Sequence, residues 1–226
     1  MFGYIAITVI FSVIGMIISG RLRGKFSHYS RVPLRSGMSG AEIAETMLRH
    51  YNIRDVKIVE GQGFLTDHYN PLTKTVSLSS DVFHGRSVAA AAVAAHECGH
   101  AVQHATSYSM LQFRSAMVPV VNVAAGLQQY LLLFALGAFG VASNNMLLLV
   151  TIGVFAVTTL FSIVTLPVEF DASKRALAWL DQSGVARGVE YDGAKDALWW
   201  AAMTYVAAAL SALVTLLYLL MRLNND

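Results

Sequence analysis

The sequence predicts a mainly α integral membrane protein, with about four transmembrane helices and a small α+β region on the cytoplasmic side. Three observations support this fold class. Of the 226 residues, 55% are hydrophobic and only 13% are charged, whereas soluble domains carry about 25% charged residues. The charges are confined to separate blocks, and three long stretches between these blocks have none. Each uncharged stretch is long enough to cross a bilayer at least once.

The uncharged stretches predict the four spans. A helix needs about 20 apolar residues to cross the hydrocarbon core, so residues 1–20 form one span and residues 199–221 form another. Residues 115–168 lack Asp, Glu, Lys, Arg and His over 54 positions. That length suits two spans joined by a turn at residues 142–145. A soluble all-α core is the alternative, but its helices would present a polar face at every turn.

The positive charges predict the orientation of the spans. Basic residues such as Arg21, Arg23 and Lys25 follow the first uncharged stretch and none precedes it, which is typical of a retained anchor rather than a cleaved signal peptide. Basic residues stay on the cytoplasmic side. Four spans then place 15 of the 16 Lys and Arg residues there, and only Arg222 outside.

This topology divides the chain into five segments. They are an N-terminal anchor (1–20), a cytoplasmic segment (21–114), a transmembrane helical pair (115–168), a second cytoplasmic segment (169–196) and a C-terminal helix with its tail (197–226). The net charge of +2 gives no reason to expect a nucleic-acid partner. The single cysteine, Cys98, excludes an intramolecular disulfide. The partner that the composition implies is the lipid bilayer.

Short elements are predicted in the first cytoplasmic segment. Ser39 is placed to cap a helix that extends to about His50. Apolar and polar side chains alternate over most of residues 55–60, which predicts a short strand. Residues 63–78 predict a hairpin around an Asn-Pro turn. The alanine-rich stretch 87–95 favours a helix that continues without a break into the residues that follow.

Those residues, His96-Glu97-Cys98-Gly99-His100, are an HExxH sequence on a predicted helix. Residues i and i+4 share one helix face, so both imidazoles can reach one Zn²⁺ at about 2.0–2.1 Å. Glu97 is offset round the helix, where it can take a proton from zinc-activated water rather than bind the metal. Two surface histidines beside a solvated glutamate are the alternative. Gly99 is costly inside a helix, which predicts a close approach to other backbone there.

A hydrolytic zinc keeps three protein ligands and one open position, so a third ligand is needed. His104 follows His96 by eight residues, about 12 Å along a helix axis, too far to share one metal. We expect it to lie beside the site, to face substrate or to be structural. Glu169 is the first charge after the long uncharged stretch, and the topology returns it to the side of the motif. A carboxylate there needs a partner such as a cation, although an ordinary interfacial carboxylate would sit at the same position.

Several stretches carry a resemblance to a known family: residues 65–71, 73–76, 85–88, 95–104 and 166–173. Over nearly its whole length the chain resembles the bacterial YugP family of neutral zinc metallopeptidases. More distantly it is similar to the HtpX-like and CAAX prenyl membrane metalloproteases, which are gluzincins. The resemblance implies one catalytic Zn²⁺ held by His96, His100 and Glu169, with Glu97 as catalytic base in a small gluzincin-like region. It also implies a multi-pass protein of the bacterial cytoplasmic membrane that acts on peptides or membrane proteins.

The chain differs from the distant relatives at a residue that would orient a metal-binding histidine. Four residues after the glutamate ligand they have an Asp that can orient a ligand histidine, whereas this chain has Ser173. Asp171 lies about 200° round the helix from the glutamate, so it cannot simply replace that Asp. The sequence therefore leaves open what fixes the imidazole tautomers.

The distant relatives also hold the substrate backbone on an edge strand before the HExxH helix. Residues 75–79, with Thr75, Val76 and Ser77, match its location, which predicts pairing with an extended peptide; a structural strand is the alternative. Asp67 and His68 are expected either to point into the cleft or to form a turn.

The sequence thus predicts a membrane zinc endopeptidase that cleaves peptide bonds at the cytoplasmic face. A non-enzymatic membrane scaffold with a structural zinc is the alternative, and a fourth protein ligand such as His104 would favour it. A transporter is a poorer interpretation, because no charge or histidine interrupts residues 115–168. The sequence specifies neither the substrate nor the oxyanion-stabilising residue nor the oligomeric state.

Overall fold

The computed structural model describes residues 2–135 and 145–224. Within these ranges the helices are α1 (Phe2–Tyr29), α2 (Gly40–His50), α3 (Ser80–Phe83), α4 (Val88–Ala105), α5 (Ser109–Ala135), α6 (Asn145–Gln182) and α7 (Val189–Leu223). The strands are β1 (Lys57–Gly61), β2 (His68–Asn70) and β3 (Thr75–Ser79). Of the turn predicted at residues 142–145, only Asn145 lies inside the described residues, as the first residue of α6.

Four of the described helices, α1, α5, α6 and α7, are long and apolar enough to cross a membrane. With the small mixed sheet, they confirm the predicted mainly α membrane fold. The helices extend beyond the uncharged stretches of the sequence. α1 continues past its basic residues to Tyr29, and the 38 residues of α6 run through Glu169 to Gln182. A candidate span and a charged segment are therefore parts of one helix.

Contacts within the chain define two compact units. The first, here the apolar unit, consists of Met1–Ile18, Phe113–Leu166 and Thr204–Asp226. The second, here the motif unit, consists of Ser19–Gln112 and Pro167–Met203. In the apolar unit, large hydrophobic side chains such as Ile10, Val123 and Met221 are exposed, as expected of a surface that faces lipid.

The motif unit is built around the alanine-rich helix α4. The Ser87 hydroxyl caps its first turn by accepting a hydrogen bond from the backbone N–H of Ala90. α2 packs against α4, with Ile43 fully buried in the shared core. Ser39 and Glu42 form a capping box at the start of α2, which confirms the predicted cap.

A three-stranded sheet of order β1-β3-β2 completes this unit. β3 pairs in parallel with β1 and antiparallel with β2, which confirms the predicted hairpin. The prediction that residues 75–79 form an edge strand is wrong, because β3 is the central strand. Thr75, Val76 and Ser77 each have a partner residue on both neighbouring strands, so their backbone is not available to pair with a peptide.

Candidate metal centre

Two histidines of α4 and one glutamate of α6 lie together in the motif unit. The Nε2 atoms of His96 and His100 are 3.4 and 3.6 Å from Oε2 of Glu169. The exposed fractions of the three side chains are 14%, 10% and 3%, so water has little access to them. Both separations are longer than a typical N–H···O hydrogen bond of about 2.9 Å. The three side chains are therefore not drawn together as tightly as direct hydrogen bonds would draw them.

The spacing fits a tetrahedral zinc ion. Zinc bonds of about 2.0–2.1 Å at tetrahedral angles place neighbouring donor atoms about 3.3–3.4 Å apart, close to the two separations. Two imidazole nitrogens and a carboxylate oxygen are also a donor set of hydrolytic zinc sites. Within the described residues, His96, His100 and Glu169 are the group of His, Cys, Asp or Glu side chains placed to share an ion. His104 is not part of it.

Gly99 explains how α6 comes close enough to α4 for Glu169 to reach the histidines. A Cβ atom at residue 99 would lie 2.6 Å from the carbonyl oxygen of Ala172, closer than van der Waals contact allows. The two backbones can therefore pack together here only because residue 99 has no side chain. This confirms the close approach that the sequence predicted at Gly99.

The second ring nitrogen of each histidine has a partner of its own. Nδ1 of His96 lies 3.1 Å from the hydroxyl of Ser173, the residue four positions after Glu169. Nδ1 of His100 lies 3.0 Å from Oε1 of Gln103. The sequence analysis did not assign a role to Gln103, although an amide side chain three residues after the second histidine of the motif was a visible signal.

The charges around the histidines favour a cation. Glu97 follows His96 on α4 and is buried, with 8% of its surface exposed. Burial of the His100 ring acts against its protonation, but the nearby carboxylates of Glu169 and Glu97 outweigh burial and raise the pKa of His100. The negative charges of Glu97 and Glu169 therefore favour a cation at this site.

His104 connects α4 to the sheet instead of joining the cluster. Its Nδ1 is 2.7 Å from the hydroxyl of Tyr69 on β2. Burial raises the pKa of Tyr69 to about 12, and the charge of Asp55 acts in the same direction. The phenol therefore keeps its proton at neutral pH, and the pair joins the end of the HExxH helix to an edge strand.

The remaining candidates have local contacts. His68 is exposed, and its Nδ1 lies 2.8 Å from the carbonyl oxygen of Thr66. Asp67 accepts hydrogen bonds from the backbone N–H and the hydroxyl of Ser79, at 2.7 and 3.0 Å. Among the described residues, neither side chain belongs to the cluster of His96, His100 and Glu169.

Two comparisons with known proteins point to one family. The family described as "Putative neutral zinc metallopeptidase" matches residues 4–224. A curated relative, "Putative membrane protease YugP" of Bacillus subtilis (strain 168), is 40% identical over 205 residues, which cover 91% of this chain and 89% of the relative. A comparison with solved structures found no significant match.

Proposed function

The chain belongs to the neutral zinc metallopeptidase family, and we propose that it is a membrane zinc endopeptidase that cleaves peptide bonds at the cytoplasmic face. The observation that carries this proposal is the convergence of His96, His100 and Glu169, with donor atoms 3.4 and 3.6 Å apart. Two of these residues belong to an HExxH helix, and the third comes from a helix 69 residues further along the chain.

Each residue has a distinct role. His96 and His100 would bind zinc through Nε2, and Glu169 through its carboxylate. A bound zinc ion would supply Lewis-acid chemistry here, lowering the pKa of water towards about 7 and polarising the scissile carbonyl. Glu97 takes the proton of the attacking water and passes it to the leaving amine, so that one carboxylate serves first as base and then as acid.

The alternative of a scaffold with structural zinc finds little support in the described residues. Structural zinc sites are closed by four protein ligands, whereas this cluster has three. His104 bonds to Tyr69. The Cys98 sulfur is buried 3.7 Å from the carbonyl oxygen of Ala44, on a different face of α4 from the two histidines. Three ligands leave a position for the water that hydrolysis needs.

A substitution of the proposed base tests this function. Glu97→Gln keeps the size of the side chain but cannot accept a proton, so cleavage of a fluorogenic casein should fall by about 10²- to 10⁴-fold. Metal analysis should still find one zinc per chain. The matched control is Glu45→Gln, a change at an exposed glutamate of α2, which should leave both values unchanged. Undiminished cleavage by Glu97→Gln overturns the proposal.

The cytoplasmic orientation is tested separately. It is supported by the Lys and Arg residues, 15 of 16 of which lie in residues 21–114 and 169–196. Leu72 is 93% exposed in the motif unit, so Leu72→Cys in a Cys98→Ala background provides one accessible thiol. A membrane-impermeant maleimide should label it only after the cells are broken. Labelling of intact cells would reverse the assigned orientation without affecting the zinc chemistry.

A further inference from the structure

We propose that Gln103 is a positioning residue that sets the tautomer of His100 and holds the Glu169 turn of α6 in register with it. The inference rests on the proposed zinc site and assigns a role to a residue outside the HExxH motif. Gln103 lies three residues after His100 on α4 and has no exposed surface. Because a fully buried amide is costly unless its groups are paired, the partners of this side chain define what it does.

Contacts with α6 decide which way the Gln103 amide points. Two oxygens, the carbonyl of Val168 and Oδ2 of Asp171, each lie 2.8 Å from Nε2 of Gln103. The backbone carbonyl can only accept. Arg175 donates to the same Oδ2 atom at 2.6 Å, so this carboxylate oxygen also acts as an acceptor. The amide end that faces these oxygens must therefore be the NH₂ group, and its two protons match the two acceptors.

The opposite end of the amide then determines the state of His100. Oε1 of Gln103 lies 3.0 Å from Nδ1 of His100, and an amide oxygen only accepts. Nδ1 must therefore carry a proton, which leaves the lone pair of neutral His100 on Nε2, the atom near Glu169. Metal-binding histidines commonly donate their second N–H to a carboxylate or a carbonyl oxygen, which fixes the ring and strengthens the ligand. Here the Gln103 amide provides that acceptor.

Gln103 also explains how Asp171 can serve the site despite its position on α6. Asp171 lies about 200° round α6 from Glu169, which prevents direct contact with the proposed ligands. The side chain of Gln103 lies between Asp171 and His100 and bonds to both. Val168 directly precedes Glu169, so the bond to its carbonyl holds the turn that carries the ligand. His96 differs, because the Ser173 hydroxyl can donate or accept and does not by itself dictate a tautomer.

Metal affinity tests this role without relying on activity. The probe is Zn²⁺ alone, titrated against a competing chelator, with Co²⁺ absorption as a spectroscopic report on ligand geometry. Gln103→Leu retains most of the side-chain volume but removes all three hydrogen bonds. We expect its zinc dissociation constant to rise about 10- to 100-fold, with an altered Co²⁺ spectrum. The control Gln112→Leu, at an exposed position of α5, should match the wild type in both.

A second pair of variants keeps Gln103 in place, so that the test does not depend on how Gln103→Leu folds. Asp171→Asn retains an oxygen that accepts from Gln103, so its zinc affinity should stay near that of the wild type. Asp171→Leu removes the acceptor and should weaken zinc binding by about tenfold. Wild-type affinity and Co²⁺ spectra in both Gln103→Leu and Asp171→Leu overturn the positioning role while leaving the proposed function intact. A wild-type chain that binds no zinc overturns the proposed function itself.

Discussion

Several polar side chains of the apolar unit bond within their own helix, whereas several of the motif unit bond to residues far away in the sequence. In the apolar unit, several hydroxyls bond to a carbonyl three or four residues earlier in their own helix; these are Thr158, Ser162, Thr165 and Thr215. In the motif unit, Gln103 bonds to residues 65 and 68 positions away, and Tyr69 to one 35 positions away. Local bonds suit helices in hydrocarbon, where water cannot replace a missing partner. Long-range bonds fix the relative positions of elements, which a metal site requires.

The two units therefore make different demands on the sequence. The apolar unit needs apolar length and helix-internal bonds, which many sequences supply. The motif unit needs particular side chains at particular positions, because each acts across elements. Substitutions should therefore have large effects in the motif unit and small effects at matched positions in the apolar unit.

The largest effect is expected from loss of a ligand. His100→Ala removes one of three donor atoms, so the chain should no longer retain stoichiometric zinc through purification, and cleavage should fall to background. Metal analysis by mass spectrometry checks the first outcome, and the casein assay checks the second. His50→Ala, at an exposed histidine of α2, is the control. Full zinc content in His100→Ala would remove this residue from the site.

The next largest effect is expected where α4 meets α6. Gly99→Ala places a Cβ 2.6 Å from the Ala172 carbonyl oxygen, and such overpacking costs about 1–3 kcal/mol. The unfolding temperature in detergent should fall and zinc should bind more weakly. Gly126→Ala, on α5 of the apolar unit, meets nothing within 4 Å and should be neutral or slightly stabilising. Equal effects at the two glycines would remove the contrast between the units here.

A smaller effect is expected at the bond between α4 and β2. Tyr69→Phe removes the hydroxyl that lies 2.7 Å from Nδ1 of His104, which should cost about 1 kcal/mol of the unfolding free energy. Zinc content should not change, because His104 is not a ligand in our assignment. Tyr130→Phe, 66% exposed on α5, is the control. Loss of zinc in Tyr69→Phe would show that His104 has a closer relation to the metal than the geometry indicates.

The smallest effect is expected in the apolar unit. The Thr158 hydroxyl lies 3.1 Å from the Phe155 carbonyl oxygen within α6. Thr158→Val preserves the shape of the side chain, and the Phe155 carbonyl keeps its helical hydrogen bond. The free energy of unfolding should therefore change by no more than about 0.5 kcal/mol. Thermal unfolding in the same detergent measures this. A loss as large as that of Gly99→Ala would contradict the contrast between the two units.

Much of the fold could be predicted because lipid imposes a local rule. Residues 1–20 and 115–168 predicted three spans from the absence of charge, and the helices found there are long and apolar enough to cross a membrane. The HExxH spacing is also local, since two residues four apart share a helix face. For Glu169, the inference that two spans return the chain to the same side left an ordinary interfacial carboxylate as the alternative, and the family resemblance implied the ligand role.

The rest depends on contacts between distant residues. The pattern of residues 75–79 predicted a strand but did not indicate which strands lie beside it. In the structure, Thr75 of β3 pairs with Lys57 of β1, 18 residues earlier in the chain. This pairing places β3 in the centre of the sheet. The helical angle of Asp171 correctly excluded a direct substitution for the missing Asp. It could not reveal that Gln103 spans the gap, because the register of α4 against α6 is set by packing at Gly99.

X-ray absorption at the zinc K-edge of the purified chain tests directly whether α4 and α6 form an open zinc centre. We predict two imidazole rings and light oxygen donors at about 2.0–2.1 Å from the zinc. The oxygen donors would be Glu169 and water. A sulfur donor at about 2.3 Å or a third imidazole would show a closed, structural site and would contradict an open centre formed by α4 and α6.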